Sequence, residues 1–205
     1  MAKLRIATCQ FAISGNIRRN ATQIKRQIAQ AKKQRAQVVH LPEAALSGYA
    51  GVDVESWDGY DWDTLRRETE AICDLAAKSK VWVILGSAHP LSGRHKPHNC
   101  LYVINADGQI VDRYDKCFCT GADLKHYSPG DHLVTLDIHG VRCGLLICYD
   151  LRFPELYRAY RKQGVECLFD SFYNARATGP GIHTIIMRPT LQAHAATNYF
   201  WISAN

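Results

Sequence analysis

Gly144-Leu145-Leu146-Ile147-Cys148-Tyr149-Asp150-Leu151-Arg152-Phe153-Pro154-Glu155 carries an apolar run into a thiol and then straight into a helix start. Pro154 fits the first helical turn, where its missing N–H costs nothing. Gly164 stops that helix from the C-terminal glycine position, so the pattern predicts a strand over 141–147 and a helix over 154–163. A further apolar run over 167–171 reads as the next strand.

The same reading extends in both directions. Strands are predicted over 4–9, 38–41, 81–86, 100–105, 109–114, 134–138 and 199–203, each rich in β-branched or aromatic residues. Helices are predicted over 16–34, 64–80 and 184–197. Asp107-Gly108 is a strong hairpin turn and His139-Gly140 a weaker one. Strand–helix alternation interrupted by hairpins implies a layered α/β domain with mixed sheets rather than a pure βαβ barrel. The long loops over 44–63 and 115–132 are the expected seats of function.

At 205 residues the chain has enough length for one domain with its own core. Apolar residues are spread throughout, which excludes collagen-like and disordered classes. No apolar run reaches the length of a membrane span, and the start runs straight into a strand pattern, so a cytoplasmic protein is expected. The net charge of +6 is lopsided: residues 1–37 hold nine Lys/Arg and no Asp/Glu. Arg18/Arg19, Lys25/Arg26 and Lys32/Lys33 recur every seven residues on one helix. No aromatic residues interleave them, so a solvated face is favoured over a nucleic-acid or membrane stripe.

The eight cysteines lack the dense spacing of a disulfide framework, and several sit in apolar runs as small hydrophobes. Cys117-Phe118-Cys119 with His126 nearby is a poor zinc pattern, having neither C-x-x-C spacing nor a second pair.

Three places put a reactive group at the end of a strand. Leu41-Pro42-Glu43 delivers a carboxylate, Tyr114-Asp115-Lys116 an ammonium, and Ile147-Cys148 a thiol. Cys148, lying before a helix, is expected to feel the positive helix terminus, which favours its thiolate and rapid alkylation. A carboxylate can move the proton and a lysine can hold an oxyanion.

Together Glu43, Lys116 and Cys148, in that order and at those intervals, resemble the nitrilase superfamily of carbon–nitrogen hydrolases, in its amidase and carbamoylase branches. The resemblance runs from Ile6-Ala7-Thr8-Cys9-Gln10 to the final Asn198–Asn205 segment. It implies an α-β-β-α sandwich of mixed sheets, with residues 1–205 forming a single hydrolase domain that lacks the family's C-terminal strands. It also implies a cysteine mechanism without metal or organic cofactor. Cys148 would attack the carbon, Glu43 would act as base, and Lys116 with the Tyr149 backbone N–H would bind the oxyanion. Asp123, before the Tyr127-Ser128-Pro129-Gly130 turn, matches the family's second glutamate but is one methylene shorter. Tyr49, Tyr149, Tyr173, Asn174 and Arg176 are expected to line the substrate site, with His183 also in reach.

Arg152 and Glu155 are expected to pair across the turn after Cys148. The resemblance further implies a homo-oligomer packed through the helices at 154–163 and 184–197, with Arg158, Tyr160 and Arg161 meeting the partner. A rival reading is a catalytically inactive binding or assembly module.

Overall fold

Ile17, Ala21, Ile24, Ile28 and Ala31 form one apolar stripe, and that stripe is the buried face of helix α1 (Ile17–Lys33). The paired lysines and arginines lie off it, and Lys25 reaches Glu68 at 2.6 Å. Asn16 caps the helix by accepting from the Arg19 N–H. The computed structural model describes residues 3–174 and 181–205.

The first sheet contains β1 (Ile6–Thr8), β2 (Val38–His40), β3 (Trp82–His89), β4 (His98–Ile104) and β5 (Ile110–Asp115), in that spatial order. The first two pairings are parallel and the last two antiparallel. Helix α2 (Trp62–Ser79) provides the crossover between β2 and β3. It begins earlier than its apolar pattern predicts because Asp61 caps it, accepting from Thr64 N–H at 2.9 Å.

The second sheet contains β6 (Thr135–Ile138), β7 (Val141–Ile147), β8 (Cys167–Ser171) and β9 (Trp201–Ala204). Its first pairing is antiparallel and the others parallel. Helices α3 (Pro154–Lys162) and α4 (Ile182–Asn198) connect the parallel strands. α4 ends at Tyr199 in the left-handed conformation, which delays β9 relative to the predicted start.

Strand alternation builds the layers. Val39, Val83 and Leu85 pack with Ile24, Ile28 and Ile72 under α1 and α2. Val38, Ile84, Leu101 and Val103 face the other way, into a core shared with Leu145, Ile147, Leu168, Tyr157 and Tyr160. The result is the α-β-β-α sandwich of two mixed sheets. Tyr160, expected at an outer surface, is fully buried and binds the Leu145 carbonyl at 2.6 Å, whereas Arg158 and Arg161 are exposed. Among the described residues no helix is long and apolar enough to cross a membrane.

A polar bridge crosses between the sheets. Ser171 Oγ donates to the Leu41 carbonyl at 3.0 Å, so it accepts from His40 Nε2 at 2.9 Å. His40 Nδ1 is then the acceptor for the Ser203 hydroxyl, also at 2.9 Å. Burial pushes the imidazole down to about 3, so it remains neutral within this chain.

Gly86 on β3 permits the close passage of the strand-end segment that carries Glu43. A Cβ there would lie 1.9 Å from the Pro42 carbonyl oxygen and 2.9 Å from Ala44 N. Gly86→Ala is expected to cost about 1–3 kcal/mol in a thermal or urea melt. It should also reduce turnover in the fraction still folded, and wild-type turnover would disprove that coupling.

Candidate active site

Glu43 lies just beyond β2 and is completely buried. Its Oε1 accepts from Lys116 Nζ at 2.8 Å and from Asn99 Nδ2 at 2.7 Å. Among the described residues its Oε2 makes no ordinary N–H or O–H hydrogen bond, and the Cys148 thiol lies beside the carboxylate. Burial pushes the Glu43 carboxyl up, and the neighbouring Asp123 adds to this. Lys116 and Asn99 only partly offset the rise.

Lys116 follows β5, where its backbone N–H is tied to the Asn99 carbonyl at 2.9 Å. Its ammonium is 1% exposed and bridges two carboxylates, Glu43 at 2.8 Å and Asp123 at 3.0 Å. Burial alone would lower this amine. The Glu43 and Asp123 carboxylates outweigh it and hold the ammonium charged.

Asp123 starts a short 3-10 turn, Asp123–Lys125. One oxygen receives Lys116 and the Thr120 N–H, and the other receives the Tyr49 hydroxyl. Burial pushes its carboxyl up, but Lys116, Tyr49 and the Thr120 N–H together hold it below the ordinary carboxylate range. The shorter side chain therefore spans the distance to Lys116.

Cys148 follows β7 with φ +49, a left-handed conformation that turns the chain sharply. A 3-10 turn, Cys148–Arg152, separates it from α3. The start of α3 is thus six residues away, and the expected thiolate-favouring helix terminus is displaced from the sulfur. Burial pushes the thiol well up, and Glu43 reinforces this. Lys116 and the Tyr173 backbone N–H act in the opposite sense. Burial and Glu43 thus favour the thiol form in the resting site and oppose the rapid alkylation expected from a helix terminus. Tyr149, second in the 3-10 turn, has a backbone N–H in the part of a helix that lacks an internal acceptor.

The turn rests on Asp150. Its carboxylate accepts from Tyr114 Oη at 2.8 Å, Phe118 N at 2.8 Å and Ile147 N at 3.0 Å. Burial raises this carboxyl to about 6 despite those donors. Arg152 makes no ion pair with Glu155 among the described residues. Its guanidinium lies 4.9 Å from the Tyr149 ring centroid, and its Nε is buried without a partner there. An exposed Glu155 prefers water to that pairing.

The structure gathers Glu43, Lys116, Asp123 and Cys148 into one cluster, with Tyr49 alongside. Tyr173 donates its hydroxyl to Asp53 at 2.7 Å and approaches the sulfur through its backbone. Asn174 points to Met187 and lines a cavity of about 400 Å³ with Pro42, Phe172, Tyr173 and Asn205. Arg176 lies outside the described residues. Asn99 escaped the sequence reading, because it precedes the apolar run that starts at Cys100 and marks β4. Asp150 was legible only as part of the Cys148 motif.

The sequence profile of the carbon–nitrogen hydrolase family matches residues 5–205. The chain is 30% identical to the deaminated glutathione amidase of Yersinia enterocolitica, over 92% of this chain and 69% of that one. It is likewise 30% identical to the ω-amidase NIT2 of Homo sapiens, over 92% and 70% of the two chains. An amidase from Nesterenkonia sp. superposes with a TM-score of 0.85 at 22% identity, covering 99% of this chain and 75% of its own. A mutant of that amidase carries the acetamide moiety of fluoroacetamide on its active-site cysteine. By its sequence over nearly its whole length, the chain belongs to the carbon–nitrogen hydrolase family and is an enzyme.

Proposed function

We propose that the protein hydrolyses the C–N bond of a small amide or N-carbamoyl compound through a thioester on Cys148. The observation that carries this reading is the buried Lys116 ammonium held between Glu43 and Asp123 beside the thiol. Two carboxylates around one ammonium leave a charged donor fixed in a water-poor site. Such a donor costs little reorganisation when an oxyanion forms next to it.

In the first half-reaction the sulfur bonds to the carbonyl carbon as Glu43 takes the thiol proton, which then passes to the departing nitrogen. Lys116 and the Tyr149 N–H stabilise the tetrahedral oxyanion, and ammonia or an amine departs. In the second, Glu43 takes a proton from water as the water attacks the thioester. The C–S bond breaks, the acid leaves and the thiol is restored. Asp123 and Tyr49 act by positioning Lys116. Tyr149, Tyr173, Asn174 and Arg176 are the residues proposed to meet the substrate.

The named relatives are amidases, so primary amides are the first substrates to test. An ammonia-release screen over short amides, ω-amides and N-carbamoyl amino acids should find at least one turned over. Silence across the panel at millimolar concentrations would favour the inactive binding module. For the active substrate, kcat/KM should fall on acidification with a midpoint above 4.5, because burial raises the Glu43 carboxyl. Glu43 then takes a proton at a higher pH than an ordinary carboxylate and ceases to act as a base. A profile flat down to pH 4.5 would contradict its role.

The proposed homo-oligomer would use the outer face of α3 and α4, where Arg158, Arg161, Ile182 and Ile185 are exposed. Eight unpaired cysteines suit a reducing cytoplasm.

A further inference from the structure

Glu43 and Cys148 must act on one substrate carbon, yet they stand on different sheets. Glu43 follows β2 of the first sheet, and Cys148 follows β7 of the second. The sheets share an apolar core that includes Ile84, Leu101, Leu145 and Ile147. Apolar contacts are non-directional, so they hold two sheets together without fixing how one lies along the other. Hydrogen bonds have direction and can set that placement. On the lysine side, Tyr114 of β5 donates to Asp150 at 2.8 Å, which ties the strand leading to Lys116 to the turn that begins at Cys148. On the glutamate side, the bridge through His40 and Ser171 occupies the corresponding place.

His40 and Ser171 are both wholly buried. His40 ends β2, three residues before Glu43. Ser171 ends β8, where it pairs with Ile147, the residue before Cys148. It also lies two residues before Tyr173, whose backbone N–H approaches the sulfur. Ser171 Oγ grips the glutamate strand twice, at His40 Nε2 over 2.9 Å and at the Leu41 carbonyl over 3.0 Å. The Phe169 ring stands edge-on to the imidazole, 5.2 Å away centroid to centroid, and fixes its plane. Pro42 has no N–H to offer a strand ladder, so these contacts brace the chain where it leaves the sheet for Glu43.

From this geometry we infer that His40 and Ser171 are positioning residues that hold the Glu43 carboxylate in register with the Cys148 sulfur. They act through the backbone. A shift of the Leu41 carbonyl carries Glu43 with it, and a shift of Ser171 carries Ile147 and Tyr173. A displacement of about 1 Å costs on the order of 100-fold in rate. A neutral imidazole suits the task, because it donates at one nitrogen and accepts at the other without placing a charge between the sheets.

This inference rests on the thioester reading. Its test compares Ser171→Ala with Ser203→Ala, each of which deprives one nitrogen of His40 of its hydroxyl partner. Ser203 binds the opposite ring nitrogen, Nδ1, from β9 and also meets Thr8. Both variants should therefore melt below the wild type by a similar margin. At a temperature where all are folded, Ser171→Ala is expected to lower kcat on the best amide by about 100-fold while KM stays within about threefold. Ser203→Ala should keep kcat within about threefold. His40→Phe, which retains a ring but neither hydrogen bond, should resemble Ser171→Ala. In both slow variants the acid limb of kcat/KM should move to higher pH. A Glu43 carboxylate drawn away from Lys116 and Asn99 stays buried beside Asp123 and Cys148 but loses the contacts that offset burial.

Equal losses of kcat in Ser171→Ala and Ser203→Ala, or wild-type kcat in Ser171→Ala, would overturn the positioning role, while an acyl adduct on Cys148 of the wild type would keep the thioester reading standing. An acid limb unmoved in Ser171→Ala would also overturn it. A wild-type enzyme that is inert on every amide and forms no adduct would overturn the thioester reading and the positioning role with it.

Discussion

Lys116→Met is expected to destabilise the fold and abolish turnover together. The ammonium is 1% exposed and is the shared partner of Glu43 and Asp123, themselves buried. Methionine keeps the length and the packing but leaves two buried carboxylates facing each other. Breaking a buried ion pair by removing one partner costs about 3–5 kcal/mol. The sign of the pH dependence follows from the same change. In the wild type Asp123 sits below the ordinary carboxylate range, so its contribution to stability is present above the unfolded pKa and is lost as pH falls through the folded one. Without Lys116 both carboxyls rise above their unfolded values, so the variant should gain stability as pH falls from 7 to 5. Urea melts at the two pH values check this. A variant equally destabilised at both would show that Lys116 acts by packing. Turnover at pH 7 should fall by at least about 100-fold, the loss typical of a single oxyanion donor.

Cys148→Ala should reduce hydrolysis by about 10⁴-fold or more, leaving only what binding and oxyanion stabilisation supply. The fold should survive. Alanine accepts the left-handed φ of +49 as readily as cysteine, and the turn is held by Asp150 through three hydrogen bonds that do not involve the sulfur. The expected signature is a melting curve close to wild type with ammonia release lost. A variant that retains measurable turnover on the best substrate would move the nucleophile elsewhere. Four of the remaining cysteines, Cys9, Cys100, Cys143 and Cys167, offer no ready substitute, because they are buried in the cores.

The architecture was readable because each element carried its own local signal. The apolar stripe of α1 and the Pro154–Gly164 frame of the third helix are decided within a few residues by periodicity and caps. The long continuation of β3 to His89 was less visible. It exists because Gly86–His89 pairs antiparallel with His98–Leu101, a partner that only the folded chain supplies. The two 3-10 turns, one at Asp123 and one at Cys148, lie in segments with no repeating apolar pattern to reveal them.

The candidate site divides in the same way. Glu43, Lys116 and Cys148 each stand at a strand end, and a recognisable order connects them. Asn99 enters the cluster only through tertiary packing, from the second position of β4, whereas His183, expected within reach, lies 3.5 Å from the sulfur. The charge state of the sulfur was beyond the sequence. Helix proximity argues for a thiolate, whereas burial and the adjacent Glu43 carboxylate push the thiol up in the folded site. Tyr160 shows the same limit: an aromatic among arginines reads as surface, yet its hydroxyl is needed at the buried Leu145 carbonyl.

The most direct test is the mass of the enzyme itself during turnover. The protein is mixed with its best amide, quenched in acid within milliseconds to seconds, and weighed intact and after digestion. The account predicts an increment equal to the acyl group, confined to the peptide that contains Cys148, appearing with ammonia release and disappearing as substrate is exhausted. Ammonia release at the wild-type rate with no adduct at any time, or an adduct that persists in Cys148→Ala, would contradict it.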